Sequence, residues 1–349
     1  MLYYYLAHDY LLYIAGFFSA FGITLLMTPY IKKVSLHVGA VDYPRKRGMH
    51  KEPIPSMGGL AIVSGFLVTM LILTPFVYEF RSWDFFGFAL GALIIVLAGV
   101  LDDIYSLPAK AKLVFQIVAA LVVIFTGTRI ELVTWPFPVN LEHFSIPITL
   151  VWIIGVTNAV NLIDGIDGLA AGVCSIGAFS LTILCLITGS PLAVVLTATL
   201  AGSCFGFLPR NFSPAEVIMG DTGALFLGFV LAVSSVLGVF KSYALLAVVI
   251  SCLALALPIF DTLFAMARRL LKGRPIMEAD RGHLHHRLID IGLSPSKAVF
   301  VLYSLSVLSG VVAILIALHD WRVLTFVGVF VVVLGLMLYV YRKRLQEKK

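Results

Sequence analysis

Four polar segments interrupt an otherwise apolar chain, and each holds residue types suited to chemistry on anions. Asp102 and Asp103 stand side by side in LAGVLDDIYSLPAKAK. Neighbouring carboxylates raise one another's pKa, so a bound cation or a basic partner is expected beside them, with Lys112 the local candidate. Taken alone, the pair reads more plainly as a solvated helix end. The next segment, TNAVNLIDGIDGLAAG, repeats a polar group every third residue at Asn158, Asn161, Asp164 and Asp167. On a continuous helix these form one drifting stripe. Asp167 capping the following helix accounts for one of them, but not for two Asn inside an apolar run. Oxygen-rich side chains at this density suit a hard cation such as Mg²⁺, which takes one or two carboxylates plus substrate oxygens. In PRNFSPAEVIMGDTGALFLG, Asp221 and Thr222 read by themselves as a helix N-cap. Finally, RRLLKGRPIMEADRGHLHHRLIDIGLS crowds His283, His285, His286 and Arg287 among further basic residues. A zinc site would need cysteines or HExxH, and the segment has neither. Histidine with arginine instead suits binding and polarising phosphate oxygens. Neither a Walker A sequence nor GxGxxG occurs.

The elements that must position these groups are membrane helices. The chain has 349 residues, 60% hydrophobic and 13% charged, against about 45–50% apolar and about 25% charged in soluble domains. That composition excludes a soluble multidomain enzyme, a disordered chain and a secreted disulfide scaffold. Eleven apolar stretches are marked: Tyr10–Val34, Gly58–Tyr78, Phe85–Leu101, Leu113–Gly127, Ile146–Ile163, Leu169–Thr188, Leu192–Leu208, Ala224–Phe240, Tyr243–Leu271, Ala298–Leu318 and Trp321–Tyr341. The expected fold is an all-α polytopic membrane protein of about eleven transmembrane helices, with residues 1–349 forming a single integral-membrane domain and no separate soluble domain. The first run is too long for a signal-peptide core and lacks a basic leader. Cys174, Cys185, Cys204 and Cys252 fall in apolar runs and read as free, buried thiols.

Charge sets the orientation. Of the 25 Lys and Arg, 21 fall on one side of this topology, and only Arg81, Arg129, Lys241 and Arg322 fall on the other. The basic side is therefore cytoplasmic, with the N-terminus outside and the C-terminus inside. The net charge of +6 serves this topology rather than nucleic acid. The longest external loop, Thr128–Ser145, suits an interfacial hairpin. The chemistry lies in five cytoplasmic segments: Lys32–Met57, Asp102–Lys112, Asn158–Gly168, Pro209–Gly223 and Arg268–Lys297. Metal-assisted phosphoryl chemistry on an anionic substrate fits this mixture. The competing class is a transporter with a charged cytoplasmic gate, but transporters place ionisable groups near the midplane, and the spans here are clean apart from Asp261. A scaffold with charged loops leaves the Asn/Asp repeat unexplained.

Read together and in order, KEPIPSMGG, LDDIYSLPAKAK, NAVNLIDGIDGLAAG, MGDTGALFLG and HLHHRL resemble the polyprenyl-phosphate N-acetylhexosamine-1-phosphate transferases, glycosyltransferase family 4. The resemblance covers nearly the whole chain. It implies ten or eleven membrane helices in the bacterial plasma membrane and an active site on the cytoplasmic face. It also implies transfer of a sugar-1-phosphate from a UDP-sugar to a polyprenyl phosphate, with release of UMP and dependence on Mg²⁺, for which Mn²⁺ could substitute. HLHHRL and the short loops are similar to the branch using UDP-GlcNAc and undecaprenyl phosphate, which starts teichoic acid, O-antigen or related envelope polymers. The sister branch using UDP-MurNAc-pentapeptide tends to carry three adjacent His, where this chain has His285, His286 and Arg287.

By the same resemblance, Asp221 matches the main metal ligand and Asn161 an additional one. Asp102 and Asp103 match the catalytic pair, Lys112 a phosphate-region lysine, and Asp164 and Asp167 nucleotide-site acids, with Asp167 near the uracil. His285, His286 and Arg287 match the sugar-phosphate clamp, with His285 and His286 counted as catalytic. Lys51 and Ser56 match residues bordering the nucleotide, and Asn158 and His283 join the substrate-binding set. Ile218 stands where some relatives place a Phe that stacks on uracil. The implied partners are the UDP-sugar, the polyprenyl phosphate and the lipid bilayer; a homodimer is compatible and nucleic acid is not expected.

Overall fold

The computed structural model describes residues 2–42, 53–133, 139–240, 252–253, 255–271, 283–318 and 328. These are mostly helical: α1 Leu2–Val38, α2 Gly59–Leu73, α3 Trp83–Tyr105, α4 Ala109–Phe125, α5 Ser145–Ile163, α6 Leu169–Thr188, α7 Pro191–Asn211, α8 Gly220–Ser235, α9 Ala256–Leu271, α10 Leu284–Asp290 and α11 Pro295–Ala317. One π-helical turn, Val236–Phe240, prolongs α8. Local start signals open several helices. Ser82 caps α3 by accepting from the Phe85 N–H at 3.2 Å. Pro191 and Pro295 open α7 and α11, where a missing N–H costs nothing.

Seven helices among the described residues are long and apolar enough to cross a membrane, and α2 is a shorter apolar helix. The second, fourth and ninth expected spans correspond to the shorter helices α2, α4 and α9, and the eleventh, Trp321–Tyr341, lies outside the described residues. The chain is thus a helical, multi-pass membrane protein. Between α4 and α5, Leu132–Val133 runs antiparallel to Val139–Asn140, with Leu132 opposite Asn140, the pairing a hairpin there requires. A second antiparallel pair joins Val41–Asp42 to Ile54–Pro55. Cys174, Cys185 and Cys204 are buried and free, whereas Cys252 is free but only half-buried.

Helix α8 is the axis of the bundle. Every residue from Thr222 to Ser235 is buried, and α2, α3, α5, α6 and α7 pack around it. Lipid offers apolar helices no hydrophobic gain from meeting one another, so close backbone packing must hold them together. Two glycines supply it at the start of α8. A Cβ at Gly59 would lie 2.3 Å from the Gly223 Cα, and one at Gly99 would lie 2.3 Å from the Thr222 Cα. This approach brings the ends of α2 and α3 onto the first turn of α8. Further along, the Trp152 indole N–H donates to the Ser235 hydroxyl at 3.0 Å, satisfying a polar pair between α5 and α8. Large apolar side chains such as Leu11, Phe18, Leu26, Leu71, Leu93 and Val151 point outward, as a lipid solvent permits.

Candidate active site

The first turn of α8 leaves N–H groups without helical partners and carries the positive end of the helix dipole. Its N-cap, Met219, has no side chain able to accept from them. Asp103, from the end of α3, supplies the acceptor across the bundle. One of its carboxylate oxygens takes the Asp221 N–H at 2.8 Å, and the other takes the Thr222 N–H at 3.2 Å and the Thr222 hydroxyl. The capping role that the sequence offered to Asp221 therefore belongs to Asp103, because Asp221 sits inside the helix. Ser56 is brought alongside: its carbonyl lies where a Cβ on Gly220 would sit, and Gly220 has φ +73°, which spares it that atom.

Relieved of capping, the Asp221 carboxylate points to the cleft. Lys112, from α4, donates to Asp221 Oδ2 at 3.3 Å and to Asp102 Oδ2 at 3.0 Å. Asp102 is 6% exposed, so its charge needs that partner. The other Asp221 oxygen accepts from the Asn161 amide. The expected partner of the acid pair is thus Lys112, but it pairs with Asp102 and Asp221 rather than with both adjacent acids. One ammonium joins residues from α3, α4 and α8, and Asn161 adds α5.

The Asn/Asp repeat is cut in two, because α5 ends at Ile163. Asn158 and Asn161 are helical. Asn158 lies one turn deeper, where its amide donates to Gln116 Oε1 at 2.6 Å and to the Ile154 carbonyl at 2.8 Å, while Gln116 Nε2 donates back at 3.3 Å. Asp164 follows the helix in the turn. Burial, then the charges of Asp221, Asp103 and Asp167, push its carboxyl up to about 8. Asp167 accepts from the Ala215 N–H at 3.0 Å, and Gly168, in the left-handed region at φ +74°, stands at the N-cap of α6 without a side-chain cap. Asp167 therefore ties the turn to the loop before α8 instead of capping α6. Buried Asn211 makes a second tie: it accepts from the Gly168 N–H at 3.1 Å and donates to the Val217 carbonyl at 3.0 Å.

Helix α10 brings the histidines. His283 is buried, with Nδ1 2.9 Å from Asp261 Oδ2. His285 is also buried and lies parallel to His283, ring centroids 5.9 Å apart and 9° between planes. Both of its ring nitrogens are without a hydrogen-bond partner among the described residues. The ring sits against Gly165, where a Cβ would lie 2.5 Å from Nε2, so His285 reaches the acidic turn only because residue 165 has no side chain. Burial, then the neighbouring His286, lowers its pKa to about 4 and leaves it neutral at pH 7. The His286 ring centroid lies 4.2 Å from that of His285. Arg287 is half-buried on the same short helix. Lys51 lies outside the described residues.

The donor set fits a hard divalent cation. An oxygen of Asp102 and one of Asp221 meet at the Lys112 ammonium, and Asp103 and Asp164 stand close by, Asp164 with its carboxyl raised to about 8 and so protonated at pH 7. An amide exchanges donor for acceptor by a half-turn, so Asn161 can present oxygen at the same place. One or two carboxylates with room for substrate oxygens is the pattern Mg²⁺ favours. Among the described residues, no group of three or more His, Cys, Asp or Glu could hold a metal ion, so any ion here would rest on one or two carboxylates, the Asn161 amide and substrate oxygens.

Gln116, Asn211, Gly165 and the hydroxyl of Thr222 are the site residues that sequence reasoning missed. Gln116 carried a signal, as an amide bordered by apolar residues, whereas Asn211, between Arg210 and Phe212, reads as an ordinary loop residue. Gly165 and Thr222 had none, because their roles depend on what packs against them.

Residues 85–239 match the model of glycosyl transferase family 4. The chain is 39% identical over 306 residues to a probable undecaprenyl-phosphate N-acetylglucosaminyl 1-phosphate transferase of Bacillus subtilis, covering 87% of this chain and 84% of that protein. It is 35% identical over 312 residues to the decaprenyl-phosphate N-acetylglucosaminephosphotransferase of Mycolicibacterium smegmatis, covering 80% and 76%. To a phospho-N-acetylmuramoyl-pentapeptide-transferase of Staphylococcus aureus it is 27% identical over 316 residues, covering 86% and 96%.

Proposed function

The chain belongs to glycosyl transferase family 4, and from that membership we propose that it transfers GlcNAc-1-phosphate from UDP-GlcNAc to undecaprenyl phosphate, releasing UMP. The reaction is the first membrane step of an envelope polysaccharide or teichoic acid, performed at the cytoplasmic face of a bacterial plasma membrane. The observation that carries the reading is Lys112 bridging Asp102 and Asp221, which joins two separate motifs on three helices into one charged centre. The 39% identity to the Bacillus subtilis protein, against 27% to the pentapeptide transferase, favours the GlcNAc donor.

Two anionic phosphates must approach within bonding distance. Lys112 screens them from the acids that line the cleft. Mg²⁺ held by Asp221 and Asn161 would neutralise the diphosphate and stabilise UMP as it leaves. Asp103 spends both oxygens on the start of α8 and so keeps Asp221 in place. Asp102 is then the acid available for chemistry. It either takes a proton from the acceptor phosphate, whose oxygen attacks the β-phosphorus, or attacks that phosphorus itself to give an acyl-phosphate adduct. In both routes the bond from the β-phosphorus to UMP breaks and the sugar-phosphate ends on the lipid. In this reading neutral His285, with Arg287, would hold the sugar-phosphate oxygens. Asp164 and Asp167 face the nucleotide.

The test is UMP release by purified protein with undecaprenyl phosphate, Mg²⁺ and a panel of UDP-sugars. UMP formed fastest with UDP-GlcNAc is expected. UMP formed only with UDP-MurNAc-pentapeptide would move the protein to the sister branch, and ion or substrate flux in liposomes without UMP would end the transferase reading.

A further inference from the structure

A carboxylate inside an apolar helix demands a partner, and for Asp261 on α9 the partner is the histidine segment. Its two oxygens have separate uses. Oδ1 accepts the Leu284 N–H at 2.8 Å, which is one of the free donors in the first turn of α10. Oδ2 lies 2.9 Å from His283 Nδ1, and both residues are buried. A carboxylate only accepts, so this contact needs the proton on Nδ1. Helix α9 also packs on α5, the helix that ends in the acidic turn. Thus one helix carries the carboxylate, packs on the helix that leads into the turn and holds the segment that must reach it.

We propose that Asp261 is a positioning residue: it fastens the start of α10 and fixes the orientation and tautomer of His283, whose parallel ring thereby sets His285 against Gly165. The observation pointing to a ligand at the far end is His285, which is 2% exposed and whose two nitrogens have no partner among the described residues beside the acidic turn. Alpha-helical propensity cannot hold seven residues in place by itself, so the tertiary anchor is needed. The catalytic consequence rests on the transferase reading; the anchoring does not.

The two parts separate in experiment. Hydrogen exchange of residues 284–290 in the detergent-solubilised full chain reads the anchor, and UMP release reads the chemistry. Asp261→Ala should raise amide exchange across α10 at least tenfold. Asp261→Asn keeps an acceptor for Leu284 but turns a donor toward His283, so it forces the proton to Nε2. It should keep α10 protected while lowering kcat about tenfold, with donor KM within twofold. His283→Gln should act likewise, and the double variant should be no worse than His283→Gln alone. Unchanged exchange in Asp261→Ala, wild-type kcat in Asp261→Asn, or additive losses in the double variant would each overturn the proposal. If Asp261→Ala does not fold, the Asn and Gln pair still decides it. If the parent protein releases no UMP, the function fails while the exchange data judge the anchor alone.

Discussion

Gly165→Ala adds a single methyl group where α5 gives way to the acidic turn. Its Cβ would lie 2.5 Å from His285 Nε2 and 2.8 Å from Cε1. Ordinary contact begins near 3.4 Å, so the ring must retreat by about 0.9 Å. His285 is 2% exposed and has little empty space to move into. Forcing such a group aside costs about 1–3 kcal/mol in a packed interior. A displacement near 1 Å in a group that positions reacting atoms costs about 10²-fold in rate. Gly155→Ala is the control: it lies on α5, and nothing stands within 4 Å of its Cβ. In a helix interior, alanine gains about 1 kcal/mol over glycine. With both substrates saturating, UMP release should fall about 100-fold in Gly165→Ala and stay at the parent rate in Gly155→Ala. Thermal unfolding in detergent should show a modest loss for the first and none for the second. A wild-type kcat in Gly165→Ala would refute the placement of His285 beside the reacting phosphates, and equal losses in both variants would refute the argument from contact.

Asp221→Asn should lower turnover by about 10²–10³-fold, with the protein still folded and inserted; a wild-type rate at low Mg²⁺ would exclude Asp221 as the metal ligand. Asp102→Ala should remove chemistry more than donor binding, and if Asp102 is the nucleophile, parent enzyme incubated with donor but no acceptor should gain the mass of a sugar-phosphate, which the variant should not. The His285 pKa is about 4 in the folded protein and 6.5 when unperturbed, so the unfolded chain binds more protons between those values and stability falls as pH drops through that window. Comparing melts at pH 7.5 and 4.5, His285→Gln should show a smaller acid loss than the parent; an equal loss would place the acid sensitivity elsewhere. Lys110→Cys, in a background without the four native cysteines, should resist an impermeant reagent applied outside intact cells, and labelling there would reverse the proposed orientation.

The sequence by itself determined the solvent, the helical class and the set of reactive segments. Those properties are local: an apolar run of membrane length declares its environment, and a carboxylate pair or an HxHH run is visible wherever it folds. The hairpin between Thr128 and Ser145 was legible for the same reason, from its prolines and aromatics. What each acid does was decided only by the tertiary structure. Sequence offered Asp221 as a cap and Asp102 with Asp103 as an equivalent pair. In the fold Asp103 caps α8, Asp102 and Asp221 share Lys112, and Asp167 binds a neighbouring loop. Asp261, an anomaly in an apolar span, became the anchor of the histidines 22 residues further along. A hydrogen bond or ion pair depends on distance and direction across helices, and those are fixed by close packing at positions such as Gly59 and Gly99, whose effect is felt by residues far away in the chain.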